Sequence, residues 1–236
     1  MTAPQTVAIV LAGGEGSRVG ADRPKQLLRV SGKTLLEHSV AAFEASPGVD
    51  EIVVMMTPDL VLDAEEIVAR AGFEKVRMVA AGGATRRQTT YAALRLVPRS
   101  VRNVLVHDAA RPLVSQQIVQ RCLAALEEHE AVSVAVAPSD TVYRVSPEGD
   151  ILHEVLRRSD IRLAQTPQAF RLELILAAHE RADAEGHDMS TDDCGIVARY
   201  FPDVPIRVVE GDPRNLKVTV ASDLLVAEVL ESPTEL

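Results

Sequence analysis

The fold of this chain is decided by one stretch, in which an apolar run passes directly into a glycine-rich turn: Val7-Ala-Ile-Val-Leu11-Ala12-Gly13-Gly14-Glu-Gly16-Ser-Arg18-Val-Gly-Ala-Asp-Arg-Pro24-Lys25-Gln26. The apolar run predicts a buried first strand. The glycines that follow let the backbone turn sharply and bring its N–H groups close to an anion. Arg18 and Lys25 add two full positive charges to these dipoles. The stretch therefore predicts a strand that ends in a phosphate-binding loop.

Neither of the two common nucleotide-loop motifs fits this turn. The full phosphate-loop motif that ends in Gly-Lys-Ser/Thr is missing, and the spacing Gly14-x-Gly16-x-x-x-Gly20 is one residue longer than the dinucleotide fingerprint allows. The alternative interpretation is an ordinary strand-to-helix turn that carries surface charges. We favour the phosphate site, because cations stand at both ends of the loop and no run of carboxylates pairs with them.

The composition favours a single α/β domain that spans residues 1–236. The chain has 47% hydrophobic residues but only 3% aromatic residues and no Trp, so its core is expected to consist of Val, Ile, Leu and Ala. Such a core is typical of a parallel sheet that is covered by helices on both faces. A chain of 236 residues is long enough to bury one sizeable core of this kind.

The charge and the cysteine pattern narrow the range of partners. A net charge of −9 argues against a nucleic-acid or membrane-surface partner, since such proteins need a basic surface. Cys122 and Cys194 have no metal-binding or redox spacing, so we expect reduced thiols. The sequence contains neither a signal-peptide pattern nor a run of 18 apolar residues, and we expect a cytoplasmic protein.

Apolar strand-like runs alternate with amphipathic helical patterns along the chain. This alternation predicts a doubly wound, mostly parallel α/β sheet, in which ligands bind outside the carboxyl ends of the strands. The predicted strands are Val7–Leu11, Glu51–Met56, Val76–Ala80, Val104–His107, Val132–Ala137 and Ile206–Val209, and the predicted helices include Thr34–Ala45, Ser115–Glu128 and Arg171–Ala184.

One segment, residues 138–163, interrupts this alternation. It contains two strand-like stretches, Ser139–Val145 and Ile151–Arg158, around a turn that is rich in Pro, Gly and Asp. A hairpin at this place has no obvious core to cover. We therefore predict an arm that projects and pairs with a second copy of the chain, with an ordinary surface hairpin as the alternative.

Polar clusters follow the predicted strands, where a ligand would bind. Four of the five have a simpler structural explanation: a helix start for the first and fourth clusters, a local ion pair for the second, and a solvated surface lysine for the last. An unpaired lysine is costly to bury, so Lys217, which we predict in an apolar strand, should face an anion. The clusters are residues 82–89, His107-Asp108-Ala109-Ala110-Arg111-Pro112, Gln165-Thr166-Pro167-Gln168, Ser190-Thr191-Asp192-Asp193 and Asn215–Thr219.

Together these features predict a site for a nucleoside triphosphate and a second phosphorylated molecule. Arg18, Lys25 and Lys217 are three well-separated cations around a glycine loop. Attack of one phosphate on the α-phosphorus of another needs positioning and charge neutralisation, usually with Mg²⁺, and little covalent help from the protein.

In these residues the chain resembles the sugar-alcohol-phosphate cytidylyltransferases, which act on 2-C-methyl-D-erythritol 4-phosphate or ribitol 5-phosphate. The resemblance runs nearly end to end and implies the Rossmann-like nucleotidyltransferase fold. The matching motifs are Gly13-Gly14-x-Gly16-x-Arg18, Pro24-Lys25, Gly82-Gly83, His107-Asp108-Ala109-Ala110-Arg111-Pro112, Asp140-Thr141, Gln165-Thr166-Pro167-Gln168, Thr191-Asp192 and Lys217-Val218-Thr219.

The resemblance also implies a role for each of these residues. Arg18, Lys25 and Lys217 would stabilise the α-phosphorus of CTP while pyrophosphate leaves, with Mg²⁺ as the cofactor. Thr89 stands where the family has a serine, a departure that keeps the hydroxyl. Nucleotide contacts are implied for Ala12, Gly13, Gly14, Gly16, Gly83, Ala84, Thr89 and Ala109, and polyol-phosphate contacts for Asp108, Arg111, Thr141, Arg158, Thr166 and Thr191.

Two of the implied contacts come from the arm, because Thr141 and Arg158 would reach into the site of the partner subunit of a homodimer. Arg157 is an adjacent rival for Arg158. We prefer Arg158, because it lies eight residues before Thr166, as in the family pattern.

The resemblance leaves the acceptor open between two polyol phosphates. The motif His107–Pro112 favours 2-C-methyl-D-erythritol 4-phosphate and thus a step in non-mevalonate isoprenoid precursor synthesis. The spelling Leu11-Ala12-Gly13-Gly14 favours the ribitol branch, which makes CDP-ribitol for cell-surface polymers. We favour methylerythritol phosphate. Two other hypotheses are a non-catalytic nucleotide-binding module and a nucleotidyltransferase for a sugar 1-phosphate.

Overall fold

The computed structural model describes residues 5–13, 24–188 and 190–232. Eleven strands and seven helices lie in these ranges. The strands are β1 (Thr6–Ala12), β2 (Arg29–Val30), β3 (Lys33–Thr34), β4 (Glu51–Met56), β5 (Val76–Ala81), β6 (Asn103–Asp108), β7 (Ala131–Val136), β8 (Val142–Val145), β9 (Leu152–Leu156), β10 (Leu163–Arg171) and β11 (Ile206–Glu210). The helices are α1 (Leu35–Glu44), α2 (Val61–Ala71), α3 (Arg86–Leu96), α4 (Gln116–Ala125), α5 (Leu172–Ala184), α6 (Asp193–Tyr200) and α7 (Ala221–Glu231).

Seven strands form the main sheet, in the order β11-β7-β10-β6-β1-β4-β5. Four of the six neighbouring pairs are parallel, and β1 lies between β4 and β6, with Ile9 opposite both Val53 and Val106. Strand β10 is antiparallel to both of its neighbours. The prediction of a doubly wound, mostly parallel sheet is confirmed.

Strand β10 is the strand of the main sheet that periodicity missed. The middle of this strand is not an apolar run, because it contains the buried polar residues Gln165, Thr166 and Gln168. It also contains a cis Thr166-Pro167 bond, and its pairing register with β7 shifts there. The glutamine amides are satisfied inside the protein: Gln165 Nε2 donates to the Asp212 carbonyl at 2.9 Å, and Gln168 Nε2 donates to Asp192 at 2.6 Å. A buried strand can contain such residues only when partners of this kind are present.

Helices cover both faces of the sheet, and alternate residues of β1 show the two faces. Ile9 packs in the cluster that contains Phe170 of β10, whereas Val10 packs in the cluster that contains Phe43 of α1. All seven residues of β1 are buried.

Helix α1 begins with a capping box, in which Glu37 N donates to Thr34 Oγ1 at 3.1 Å and Thr34 N donates to the Glu37 carboxylate at 2.7 Å.

The predicted hairpin is present as β8 and β9, which pair only with each other. The turn is closed by Ser146 N, which donates to the Ile151 carbonyl at 2.8 Å, and Gly149 adopts the left-handed conformation with φ of 84°. Several of its apolar side chains are exposed by 44 to 60%, namely Tyr143, Val145, Ile151, Leu152 and Val155. The hairpin therefore has its own pairing and leaves its apolar surface uncovered in a single chain.

The predicted strand around Lys217 is wrong: residues 211–220 form no strand. Their apolar pattern instead reflects local packing, with Val218 buried against the β2–β3 hairpin and α7. The backbone is held by individual hydrogen bonds, including Val218 N to the Ala110 carbonyl at 2.8 Å. In the described residues, none of the helices has the length and apolar character needed to cross a membrane.

Candidate active site

A cavity of about 720 Å³ opens at the carboxyl ends of four neighbouring strands. Gly13 follows β1, Thr57 follows β4, Gly82 follows β5, and Asp108 ends β6, and all four line the cavity. Lys25 and Lys217 line it as well. The position agrees with the general rule for ligands of open α/β sheets.

The turn after β5 lies close to the first turn of α3. A Cβ atom at Gly83 would lie 2.5 Å from the Cβ of Gln88, and one at Gly82 would lie 2.9 Å from the side chain of Thr89. The Thr89 hydroxyl accepts from Gly83 N at 3.1 Å and donates to the Thr85 carbonyl at 2.9 Å. Both positions therefore require glycine, because a Cβ atom there would collide with α3. Thr89 stabilises the turn through its hydroxyl.

Asp108 stands between two cations at the floor of the cavity. Its Oδ1 accepts from Arg86 Nε at 3.0 Å, and its Oδ2 accepts from Lys217 Nζ at 2.7 Å. Burial alone would raise the pKa of Asp108, but Arg86 and Lys217 outweigh burial and hold this pKa well below its ordinary value. Asp108 is thus a carboxylate at neutral pH. The local ion pair with Arg111, which was the simpler explanation of this motif, is not formed, because Asp108 pairs with the two cations named above.

Arg86 is the charged residue of the described cavity lining for which the sequence predicted no role. It is the first residue of α3, after the N-cap Thr85, and Arg87 follows it. Two cations at a helix N-terminus oppose the helix dipole, so they need carboxylate partners. Arg86 binds Asp108 and Asp193, and Arg87 binds Asp183 and Asp188 at 3.1 and 2.6 Å. The two adjacent arginines at a helix start were therefore the sequence signal that could have identified Arg86 as part of a charged cluster.

Lys217 and Lys25 converge on the cavity from opposite ends of the chain. Arg111 Nη1 donates to the Asn215 carbonyl at 2.8 Å, which fixes the segment that precedes Lys217. The Asp223 carboxylate accepts from Thr219 N at 2.7 Å, which fixes the segment that follows. Lys25, in a short 3₁₀ turn, places its Nζ 3.4 Å from the Val218 carbonyl. The two lysines are thereby joined through one segment.

Behind Asp108, a buried hydrogen-bond chain fixes the β6 terminus. Asp108 N donates to Thr166 Oγ1 at 3.1 Å, and the Thr166 hydroxyl donates to His107 Nδ1 at 3.1 Å. His107 Nε2 in turn donates to the Arg111 carbonyl at 3.0 Å. Burial lowers the pKa of His107 to about 4, so its imidazole is neutral at pH 7, and with Nε2 donating to the carbonyl its Nδ1 is the acceptor.

The buried imidazole predicts a loss of stability under mild acid. The folded-state pKa of His107 lies below its ordinary value of 6.5, so the unfolded chain binds the proton more readily between pH 6.5 and 4. The free energy of unfolding is therefore expected to fall by about 2 kcal/mol between pH 7 and pH 5. Urea unfolding at several pH values measures this, and His107→Gln should flatten the slope in that range. An equally steep slope in His107→Gln would contradict the assignment.

The structure brings together some of the predicted site residues and not others. Lys25, Lys217, Gly13, Gly83, Ala84, Thr89 and Asp108 line the cavity. Ala12 and Ala109 are buried in or beside its strands, Thr166 lies behind Asp108, and Arg111, Thr141, Arg158 and Thr191 lie outside the lining. Arg18, Gly14 and Gly16 lie outside the described residues. Thr191 directly precedes the α6 N-cap Asp192, whose carboxylate accepts from Gly195 N at 2.8 Å.

The donor set of the cavity fits a Mg²⁺ ion that arrives with its phosphates. Within the described ranges, no three His, Cys, Asp or Glu side chains gather to hold a metal ion. Asp108 is the acidic residue of the described lining, and both of its oxygens are engaged by cations. Mg²⁺ usually keeps several waters and binds substrate phosphates, so its ligands in this cavity would come from the triphosphate and from water.

Comparison with known proteins agrees with this geometry. Residues 6–232 match the family model of 2-C-methyl-D-erythritol 4-phosphate cytidylyltransferase. A protein of that name from Thermobifida fusca is 48% identical over 96% of this chain and 93% of its own length. A bifunctional ribulose 5-phosphate reductase/CDP-ribitol pyrophosphorylase from Haemophilus influenzae is 34% identical over 98% of this chain and 49% of its own length.

A solved structure shows the same fold. The 4-diphosphocytidyl-2C-methyl-D-erythritol synthase from Anaerococcus prevotii superposes with a TM-score of 0.84 at 26% identity, and the match covers 95% of each chain.

Proposed function

Because the chain belongs to the 2-C-methyl-D-erythritol 4-phosphate cytidylyltransferase family, we propose that it transfers CMP from CTP to 2-C-methyl-D-erythritol 4-phosphate and releases pyrophosphate. The observation that carries the proposal is the convergence of Lys25 and Lys217 on one cavity at the carboxyl ends of the strands. The product would enter isoprenoid precursor synthesis.

In the proposed reaction, an oxygen of the acceptor phosphate forms a bond to the α-phosphorus of CTP, and the bond to pyrophosphate breaks. Negative charge accumulates on the α-phosphate oxygens and on the leaving group in the transition state. Lys25, Lys217 and Arg18 would neutralise that charge, which requires positioned cations and no covalent intermediate. Hydrogen bonds hold the segments that carry the two lysines, which supports this role: Leu28 N donates to the Lys25 carbonyl, and Val218 N donates to the Ala110 carbonyl.

Three further groups of residues would place the substrates. The backbone groups of Gly83 and Ala84 would recognise the cytosine, and the Thr89 hydroxyl would support them. Ala12, Gly13, Gly14, Gly16 and Ala109 would contact the remainder of the nucleotide. For the polyol phosphate, Asp108, Arg111, Thr166 and Thr191 would act from the same subunit. Mg²⁺, held by the triphosphate oxygens and by water, would neutralise phosphate charge.

Pyrophosphate release with each of the four nucleoside triphosphates tests the proposal. We expect turnover with CTP and 2-C-methyl-D-erythritol 4-phosphate in the presence of Mg²⁺, and little turnover with ATP, GTP or UTP. CTP binding without any product would favour a non-catalytic nucleotide-binding module instead. Turnover with CTP and ribitol 5-phosphate alone would assign the chain to the ribitol activity.

We also propose a homodimer that forms through the arm of residues 138–163. The exposed apolar side chains of β8 and β9 support this, because a soluble hairpin rarely leaves so many uncovered. Thr141 and Arg158 lie outside the cavity lining, which is consistent with action in the partner's site. Sedimentation should give twice the chain mass, and a monomer would contradict the proposal.

We further propose one nucleotidyltransferase domain that works in the cytoplasm, where its two free cysteines would stay reduced.

Arg158→Ala is expected to raise the KM for the polyol phosphate by about tenfold and to change the KM for CTP little, since a phosphate contact is lost. In the single chain, Arg158 Nη1 donates to the Ser139 carbonyl at 2.9 Å, so the side chain is held beside the arm. Arg157→Ala is the matched control, because Arg157 is exposed and pairs with Asp160. If Arg157→Ala alone raised the KM, the role would pass to Arg157.

A further inference from the structure

A fully buried carboxylate lies behind the cations of the cavity. Asp193, in the first turn of α6, has no exposed surface and does not line the cavity. Its Oδ1 accepts from His179 Nε2 at 3.1 Å, its Oδ2 accepts from Arg86 Nη1 at 2.8 Å, and its backbone N donates to Gln168 Oε1 at 3.0 Å. A buried carboxylate is costly unless cations and donors surround it in this way. Such a group is unusual so close to a substrate cavity.

Arg86 connects this buried carboxylate to the cavity. Its Nε donates to Asp108 and its Nη1 donates to Asp193, so the planar guanidinium spans two carboxylates that belong to β6 and α6. A guanidinium can hold two carboxylates in one fixed fork, which an ammonium cannot do with the same geometry. Arg86 is therefore fixed in orientation from both sides.

Lys217 is held much less firmly at the other oxygen of Asp108. It makes one ion pair with a carboxylate, and its side chain is 40% exposed, against 24% for Arg86. Four charges thus alternate from the core to the cavity in the order Asp193, Arg86, Asp108, Lys217. The last cation in this order is the one that can exchange its partner most readily, because its ammonium is on the exposed side of the pair and binds one carboxylate, whereas Arg86 binds two.

We propose that Asp193 is a positioning residue that fixes Arg86 as the permanent counter-ion of Asp108, so that Lys217 can move from Asp108 to the phosphate of the substrate. This rests on the proposed function of Lys217. When Lys217 moves away, Asp108 keeps one cation and is not left as an unpaired buried charge. The exchange therefore needs Arg86 to stay in place.

Asp193→Asn tests the proposal, because it keeps the side-chain volume and removes the charge that anchors Arg86. With Arg86 less firmly held, Asp108 depends on Lys217, and Lys217 stays with Asp108. We expect kcat for pyrophosphate release to fall by about tenfold or more, while the KM for CTP changes by less than about threefold. Asp192→Asn is the matched control: it removes a carboxylate from the same helix start, one that contacts Gly195 and Gln168 and makes no ion pair with Arg86.

The pH profile separates this role from a purely structural one. The charged and titratable groups that face Asp108 are Arg86 from α3, Lys217 from the 211–220 segment, and His107 and Arg111 on its own side. Since Arg86 is the strongest of the interactions that lower the pKa of Asp108, its displacement should raise that pKa. The acid limb of the kcat profile should then move to higher pH in Asp193→Asn and stay in place in Asp192→Asn.

Arg86→Lys provides a second test if Asp193→Asn does not fold. It keeps the charge and both carboxylates but loses the fork, and the same fall in kcat and the same shift of the acid limb are expected. Normal kcat and an unmoved acid limb in Asp193→Asn or in Arg86→Lys would overturn the inference. The unmodified chain distinguishes a failure of this inference from a failure of the proposed function. If the unmodified chain releases no pyrophosphate from CTP, the proposed function itself fails.

Discussion

Lys217→Ala is expected to lower kcat by about 10²-fold or more, with a smaller change in the KM for CTP. A loss of this size corresponds to about 3 kcal/mol of transition-state stabilisation, which is typical for the removal of one positioned charge from developing phosphate charge. Arg86 remains on Asp108 in this variant, so that carboxylate keeps a counter-ion and the fold should survive. Single-turnover measurement of pyrophosphate release reports the effect on the chemical step.

Lys33→Ala is a suitable control for Lys217→Ala. Lys33 is an exposed lysine on β3 and does not line the cavity, so its removal changes the net charge by the same amount. Near-normal kcat in Lys217→Ala would remove Lys217 from the proposed reaction. A similar loss in both variants would show that overall charge matters and not the position of Lys217.

Lys25→Met is expected to lower kcat by about 10²-fold or more, for the same electrostatic reason. Methionine keeps the apolar length of the side chain and removes the ammonium, so packing near the cavity is largely preserved. If Lys25 and Lys217 act on the same phosphate, the double variant should lose less than the product of the two single losses. Strict multiplication of the losses would indicate two independent sites of action.

The two lysines could also be structural, because Lys25 Nζ contacts the Val218 carbonyl next to Lys217. Urea unfolding of Lys25→Met distinguishes the explanations. A role in the reaction predicts a free energy of unfolding close to that of the unmodified chain. A large loss of stability together with a modest loss of kcat would make Lys25 a support for the 211–220 segment.

Much of the fold follows from the sequence for a physical reason. In β1, in β4 and in residues 104–106 of β6, both faces are covered by helices, so apolar residues follow one another without a break and periodicity detects the strands. Strand β10 is different, because its buried glutamines are satisfied by partners that are 24 to 47 residues away in the sequence. Those partners are known only once the chain has folded.

The site could be predicted in part for a related reason. The Gly83 turn, Asp108 and the two lysines stand in short motifs next to strand ends, and the resemblance to the family assigned them roles. Arg86 stood within one of these motifs, but its two carboxylates come from β6 and α6. Lys217 was predicted to face an anion, and it does face Asp108, although the predicted strand is absent.

Direct competition between the two polyol phosphates tests the central claim. The purified chain would receive CTP, Mg²⁺ and equal concentrations of 2-C-methyl-D-erythritol 4-phosphate and ribitol 5-phosphate, and the two nucleotide products would be quantified. We expect the cytidyl product of methylerythritol phosphate to predominate and pyrophosphate to form in equal amount. Predominance of CDP-ribitol, or consumption of neither acceptor, would contradict it.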